Sequence, residues 1–182
     1  MSKSGLTISL NEVLFYFTRA GFGVNASIGV SEDFARSNIW IAQNGFDPSE
    51  CSLLALDNLD RQISSLSIQF EKTGDGSHLF CPEDRVLSAI EASVSCVDWL
   101  EFNGLDGDLK VTNVDSPLLV VSALGANQCT GIHVSWTDKS NNHYEVNLKD
   151  DIEWEIISSS ETPIELSNYA DIHISALDVN NK

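Results

Sequence analysis

Positive charge is what this chain has least of. Ten lysines and arginines stand against 27 aspartates and glutamates in 182 residues, a formal net charge of −17. Phosphate backbones and anionic membrane surfaces repel such a protein, so neither nucleic acid nor a membrane is expected as a partner. The few basic residues are scattered and do not interleave with aromatics, which a single-strand binding groove would need. Long hydrophobic runs are missing as well. The apolar run Pro117–Leu124 is far shorter than the roughly 20 residues that cross a bilayer. The opening MSKSGLTISL lacks the apolar core of a secretory signal. Cysteine is sparse: Cys51, Cys81, Cys96 and Cys129 lie 30, 15 and 33 residues apart. That spacing contains no CxxC metal or redox motif and suits free thiols in a reducing cytoplasm.

The standard reactive motifs are absent too. No P-loop, GxSxG or HExxH occurs. Gly21-Phe22-Gly23 lacks the third glycine of a dinucleotide fingerprint and does not follow a strand, and Gly74-Asp75-Gly76 reads as a turn. The sequence therefore names no cofactor and no reaction, and no internal repeat points to a solenoid.

What is present is a well-punctuated pattern of helices. Ser9 and Glu12 make a capping box, and Leu10, Val13, Leu14 and Phe17 follow at helical spacing as an inner face. Gly21 and Gly23 are the expected stop. A second helix is predicted from near Ser31, with Val30, Phe34, Ser37 and Ile41 inward and Asn44-Gly45 as its end. Asp47-Pro48-Ser49-Glu50 signals a third, with Leu56, Leu59, Ile63 and Leu66 behind it. Lys72–Ser77 reads as a break. Cys81-Pro82-Glu83-Asp84 then reads as a fourth start, continued by Val86, Leu87, Ile90, Val94 and Val97; Val94–Phe102 is equally rich in strand formers.

After Asn103-Gly104 the period changes to two. Leu109, Val111 and Asn113 are expected to share one strand face. Ser116-Pro117 opens a buried helix to Leu124, with a buried strand as the alternative. Ile132, Val134 and Trp136 alternate with polar residues, as do Tyr144, Val146 and Leu148, giving a hairpin. Ile152, Trp154 and Ile156 make a third strand, and Ile172 and Ile174 a last one. The fold class is α+β: one domain over residues 1–182, helix-rich over 9–103, with a largely antiparallel sheet over 104–178. The four tryptophans, Trp40, Trp99, Trp136 and Trp154, are read as core anchors.

Several of these pieces, in order, resemble an uncharacterised bacterial family, domain of unknown function 3726. They are Ser9-Leu10-Asn11-Glu12, Gly29-Val30-Ser31-Glu32-Asp33, Asn44-Gly45-Phe46-Asp47, Phe80-Cys81-Pro82, Ser116-Pro117-Leu118-Leu119 and Val134-Ser135-Trp136. The resemblance runs from about Ser9 to Trp154 and implies a bacterial lineage. No activity comes with it.

Two groups of residues carry candidate chemistry. Cys81 at a helix start, with His78 three residues upstream, has the make-up of a thiolate–imidazole pair, and Asp98 is the third titratable group assigned to that site. The competing reading is a small buried cysteine and a loop histidine, and Glu83 and Asp84 disfavour a thiolate. The second group is a metal site: His143 with Glu145, and Asp171 with His173, each sit two apart on one strand face, and His133 lies on the polar side of its strand. The competing reading is a solvated sheet face. The function that fits so bare a sequence is an accessory protein that binds a protein partner or a small molecule, as a monomer or a homo-oligomer. An enzyme with its site where helices meet sheet, near Cys81, is the alternative.

Overall fold

A computed structural model describes residues 8–74, 76–83, 85–139, 141–149, 154–158 (backbone only) and 169–177. The N-terminal helix α1 (Leu10–Gly23) begins as its capping box dictates: the Ser9 N–H donates to Glu12 Oε2 at 2.7 Å and the Glu12 N–H to Ser9 Oγ at 3.3 Å. Its inner face is narrower than the sequence suggests. Val13 is buried and Phe17 is packed against the core, while Leu10 and Leu14 are exposed. Gly21 does not stop the helix. It lets α1 press on α2 (Ile28–Gln43), where an added Cβ would meet Ser31 at 3.1 Å.

Helix α2 starts one turn earlier than expected, because Ser27 supplies the N-cap by accepting from the Val30 N–H. Ser31 instead is buried and donates back to the Ser27 carbonyl at 2.8 Å. Helix α3 (Pro48–Asp60) is capped by Asp47 as predicted, but it ends before Ile63 and Leu66.

The largest departure follows. The expected break at Lys72–Ser77 is the turn of a hairpin between β2 (Gln69–Thr73) and β3 (Gly76–Phe80). Cys81-Pro82 is not a helix start: Cys81 follows β3 directly and Pro82 and Glu83 form a turn. Val86 and Leu87 form a short strand, β4, beside β1 (Ser64–Ser65). The true N-cap of α4 (Ala89–Asn103) is Ser88, whose hydroxyl accepts from the Ile90 N–H. The ambiguous run Val94–Phe102 is helical, and Gly104 ends it with φ +66°, a conformation glycine adopts at little cost.

Then come β5 (Leu109–Val114), the buried helix α5 (Pro117–Ala126), β6 (Ile132–Thr137), β7 (His143–Leu148), β8 (Trp154–Ser158) and β9 (Ala170–Ala176). Ile152 lies outside the described residues.

Among the described residues nine strands form one sheet, ordered β1-β4-β5-β9-β6-β7-β8, with the β2–β3 hairpin joined to β5. The fold is α+β, as the sequence indicates, but the sheet is mixed and draws four strands from the part read as helix-rich. β3 and β4 run parallel to β5, while β9 enters antiparallel between β5 and β6. A parallel neighbour needs a crossover, and α4 provides it between β4 and β5.

The sheet is one-sided. Leu79, Leu109, Val111, Ile132, Val134, Trp136, Tyr144, Val146, Ile172 and Ile174 are buried in one core with α2, α4 and α5. Helix α5 is buried at every position from Pro117 to Leu124, so its apolar run needs no polar face. Trp99 and Trp136 are buried anchors, Trp136 stacking on Tyr144 at 5.2 Å, whereas Trp40 is half-buried against α5.

Candidate functional site

The chemistry-bearing side chains gather where the sheet comes apart. Strand β5 is paired by β9 along one edge, so β3 and β4 share the other. β3 covers its first half (Ser77↔Leu109, His78↔Lys110, Leu79↔Val111) and β4 touches only its end (Leu87↔Val114). Between them, among the described residues, Thr112 and Asn113 have no strand partner on that edge. β5 bends at the same point. Asn113 is left-handed (φ +54°), and the pairing with β9 slips between Val111 and Val114. This bulge is why Val114, and not Asn113, joins the buried face.

The gap is a recess of about 170 Å³ lined by His78, Phe80, Cys81, Arg85, Thr112 and Asn113. His78 is half-buried. Its Nε2 is 2.7 Å from Thr112 Oγ1, and its ring stacks on Phe80 with centroids 4.8 Å apart, so the imidazole is fixed in both position and tilt. Arg85 closes the side. One Nη bonds Glu83 at 3.0 Å; the other donates to the Ser64 carbonyl at 2.9 Å and to the Gln62 carbonyl. The Asn113 backbone N–H donates to Asp171 Oδ1 at 2.9 Å, tying the bulge to β9.

Of the three residues assigned to a nucleophile site, His78 and Cys81 both line this recess, but they point to opposite sides of the sheet, His78 outward and Cys81 into the core. Cys81 sits at the end of a strand and not at a helix N-terminus, is only 4% exposed, and so has no dipole to favour its thiolate. Asp98 is elsewhere, exposed on α4, where its charge acts on Glu91. Arg85, Thr112 and Asn113 were not foreseen. The signal for them is the bulge, which no periodicity in Leu109–Val114 betrays.

The metal candidates share the outer sheet face, as their spacing implies, but the register spreads them. His78, Lys110, His173, Ser135 and Glu145 form one row across five strands. Neighbouring strands are about 4.8 Å apart, which sets the backbones of His173 and Glu145 some 10 Å apart. Their observed partners are these. His173 Nε2 is 3.3 Å from Asp108 and Asp171 is 3.1 Å from Lys110 Nζ. His143 Nε2 is 2.9 Å from Glu145, and His133 Nδ1 is 2.8 Å from Asn147. Among the described residues no three His, Cys, Asp or Glu side chains gather to hold a metal.

A carboxylate that the sequence does not single out follows β5. Asp115 follows β5 and is fully buried, and its Oδ1 accepts the Ala89 N–H at 2.8 Å, at the start of α4. Burial raises its pKa to about 6, against the opposing pull of the Ala89 bond. Asn58 Nδ2 approaches Asp115 at 3.4 Å and its Oδ1 accepts from Tyr169 at 3.1 Å, so α3, β5 and the start of β9 are tied at one point.

No family model and no curated protein matches the chain. Solved structures do. The chain is similar to malate dehydrogenase from Pyrococcus horikoshii OT3 (TM-score 0.61, 10% identity over 90% of this chain and 53% of that one). It is similar also to a putative malate/lactate dehydrogenase from E. coli (0.58, 9%, 88% and 51%). A third is sulfolactate dehydrogenase from Methanocaldococcus jannaschii (0.54, 8%, 85% and 51%). The chain thus spans about half the length of these structures, and at such identities the likeness is one of fold. Among the described residues no helix is long and apolar enough to cross a membrane.

Proposed function

We propose that this chain carries an enzymatic site at the recess between β3, β4 and β5, that it acts there on a small polar metabolite, and that it works in the cytoplasm. The observation behind this is the convergence of an oriented histidine, an arginine and a hydroxyl where two parallel strands part. Crevices of open sheets concentrate at such places. The fold likeness to dehydrogenases of malate, lactate and sulfolactate supports an enzyme over an accessory protein, and supports a short organic acid as the ligand class.

His78 is the acid–base group in this reading. Its ring is held at Nε2 by Thr112, leaving Nδ1 to give or take a proton. Arg85 supplies the one positive charge of the recess lining, shared with Glu83. Hydride transfer would also need a redox cofactor. The recess is about 170 Å³, below the ~300 Å³ at which ligand pockets begin, and no glycine-rich phosphate loop follows a strand. These residues do not fit a dinucleotide, and no redox step is derived for the chain.

Thermal-shift and NMR titration with malate, lactate and sulfolactate test the proposal. Chemical-shift changes centred on His78, Thr112 and Asn113, lost in His78→Ala, are expected. Absence of any change at millimolar ligand, or changes unaltered by His78→Ala, would sink it.

A further inference from the structure

Among the described residues, helix α1 presents apolar surface that no other element covers. Phe15, Tyr16 and Phe22 are 54%, 58% and 64% exposed, and Ile8, just before the helix, is 42% exposed. Phe15 and Phe22, seven residues apart, share one outward stripe opposite the face of Val13, which is buried, and Phe17, which packs on α2. Glu12 and Arg19, both exposed and also seven apart, flank that stripe on the same side. Arg19 lies over the Phe15 ring at 5.1 Å, which keeps its charge at the edge of the stripe.

This pattern is complementary to itself in one orientation only. When two such helices pair antiparallel about a two-fold axis near Phe15, the flank of one meets the same flank of the other in reverse order. Glu12 of each copy then faces Arg19 of its partner, twice, and the aromatic stripes meet. Parallel pairing would set this flank against the opposite flank of the partner and leave Glu12 and Arg19 without each other. We propose that this chain forms a two-fold symmetric homodimer through α1.

The exposed parts of the three aromatics, 54–64% of about 150–250 Å² each, with Ile8, offer on the order of 400 Å² per protomer. The total of about 800 Å² is below the standard size and suits a weak, transient interface. With −17 on each copy, the dimer is expected to be reversible, with micromolar affinity.

Sedimentation velocity of the full chain across a concentration series is the test. Wild type should pass reversibly from monomer to dimer. Arg19→Glu sets Glu12 against a second glutamate at both symmetric positions and should weaken the dimer about tenfold, as should Glu12→Lys. An equal mixture of the two variants restores both attractive pairs and should recover wild-type affinity as a heterodimer. Circular dichroism checks that each variant keeps its helices; Arg19→Glu leaves the capping box intact, so its result stands apart from any loss of fold. A wild type that stays monomeric throughout would overturn the proposal. So would a dimer untouched by Arg19→Glu and by Phe15→Ser, or a mixture no tighter than its components.

Discussion

Gly125 is the position where a single methyl group should do most harm. It is the penultimate residue of α5, and a Cβ built there would lie 2.3 Å from Trp40 Cε2, 2.5 Å from Cζ2 and 2.6 Å from Nε1. The indole of α2 therefore rests directly on the α5 backbone. Two effects compete in Gly125→Ala. Helix propensity favours alanine by at most about 1 kcal/mol, and less this near a helix end. Overpacking costs about 1–3 kcal/mol, at the upper end here because an indole cannot bend aside. A net loss of about 1–2 kcal/mol follows, a fall of roughly 2–8 °C in melting temperature for a chain of this size. Calorimetry or chemical denaturation reads it. Gly29→Ala is the control: it is also helical, with open space around its Cβ, and should stabilise slightly. Trp40→Leu should cost stability alone yet suppress the harm of Gly125→Ala, a coupling that a double-mutant cycle measures. If Gly125→Ala proves as benign as Gly29→Ala, the close packing of α2 on α5 is wrong.

Asp115 predicts a pH dependence. Its folded pKa is raised from 3.8 to about 6, so between those values the folded chain holds a proton that the unfolded chain has lost. Its contribution is complete below about pH 4 and declines as pH rises through 6, by about 3 kcal/mol in all. The stability of wild type relative to Asp115→Asn should therefore fall across that window, and a flat difference would contradict it. Ser9→Ala removes the capping hydroxyl and should cost α1 about 1 kcal/mol, read as earlier fraying in amide exchange. Thiol labelling of the native protein should begin at half-buried Cys129, not at buried Cys81. Cys51, pushed up to about 12 by burial, and fully buried Cys96 should react only on unfolding.

Local physics made much of this fold legible. The Ser9–Glu12 box, the Asp47-Pro48 start, the Asn103-Gly104 stop and the alternation in β6, β7 and β9 all act within a few residues, and all stand as the sequence implies. What failed depends on partners distant in the chain. Pro82 carries the marks of a helix start, but Val86 and Leu87 are drawn into a ladder with β1 and β5, and helix formation waits for Ser88. Asn113 alternates correctly with its neighbours, yet the bulge turns it out of the core, because Val114 must pair with both Leu87 and Ala170. The site suffered in the same way. His78 and Cys81 are close in sequence and were readable as a pair. Arg85, Thr112 and Asn113 reach them only through the parting of β3 and β4.

That parting also explains why the recess lies where it does. In open sheets with parallel strands, ligands settle beyond the carboxyl ends of the strands, where helix N-termini offer free N–H groups. Here β4 leads directly to the N-terminus of α4, and Asp115 just after β5 lies against it, at the natural place for an anion. The chain fills that place itself: Asp115 accepts the Ala89 N–H and is sealed from solvent by its neighbours. Its raised pKa records the cost of keeping a carboxylate there. β3 has no such plug. Its carboxyl end leads to Phe80 and Cys81, which line the recess together with Thr112 and Asn113 of β5. In the proposed function, a ligand at the recess would meet His78 and Thr112, while the N-terminus of α4 is already occupied by Asp115. If this division holds, replacing Asp115 should alter the stability of the fold far more than the affinity of the recess, while replacing His78 should do the reverse.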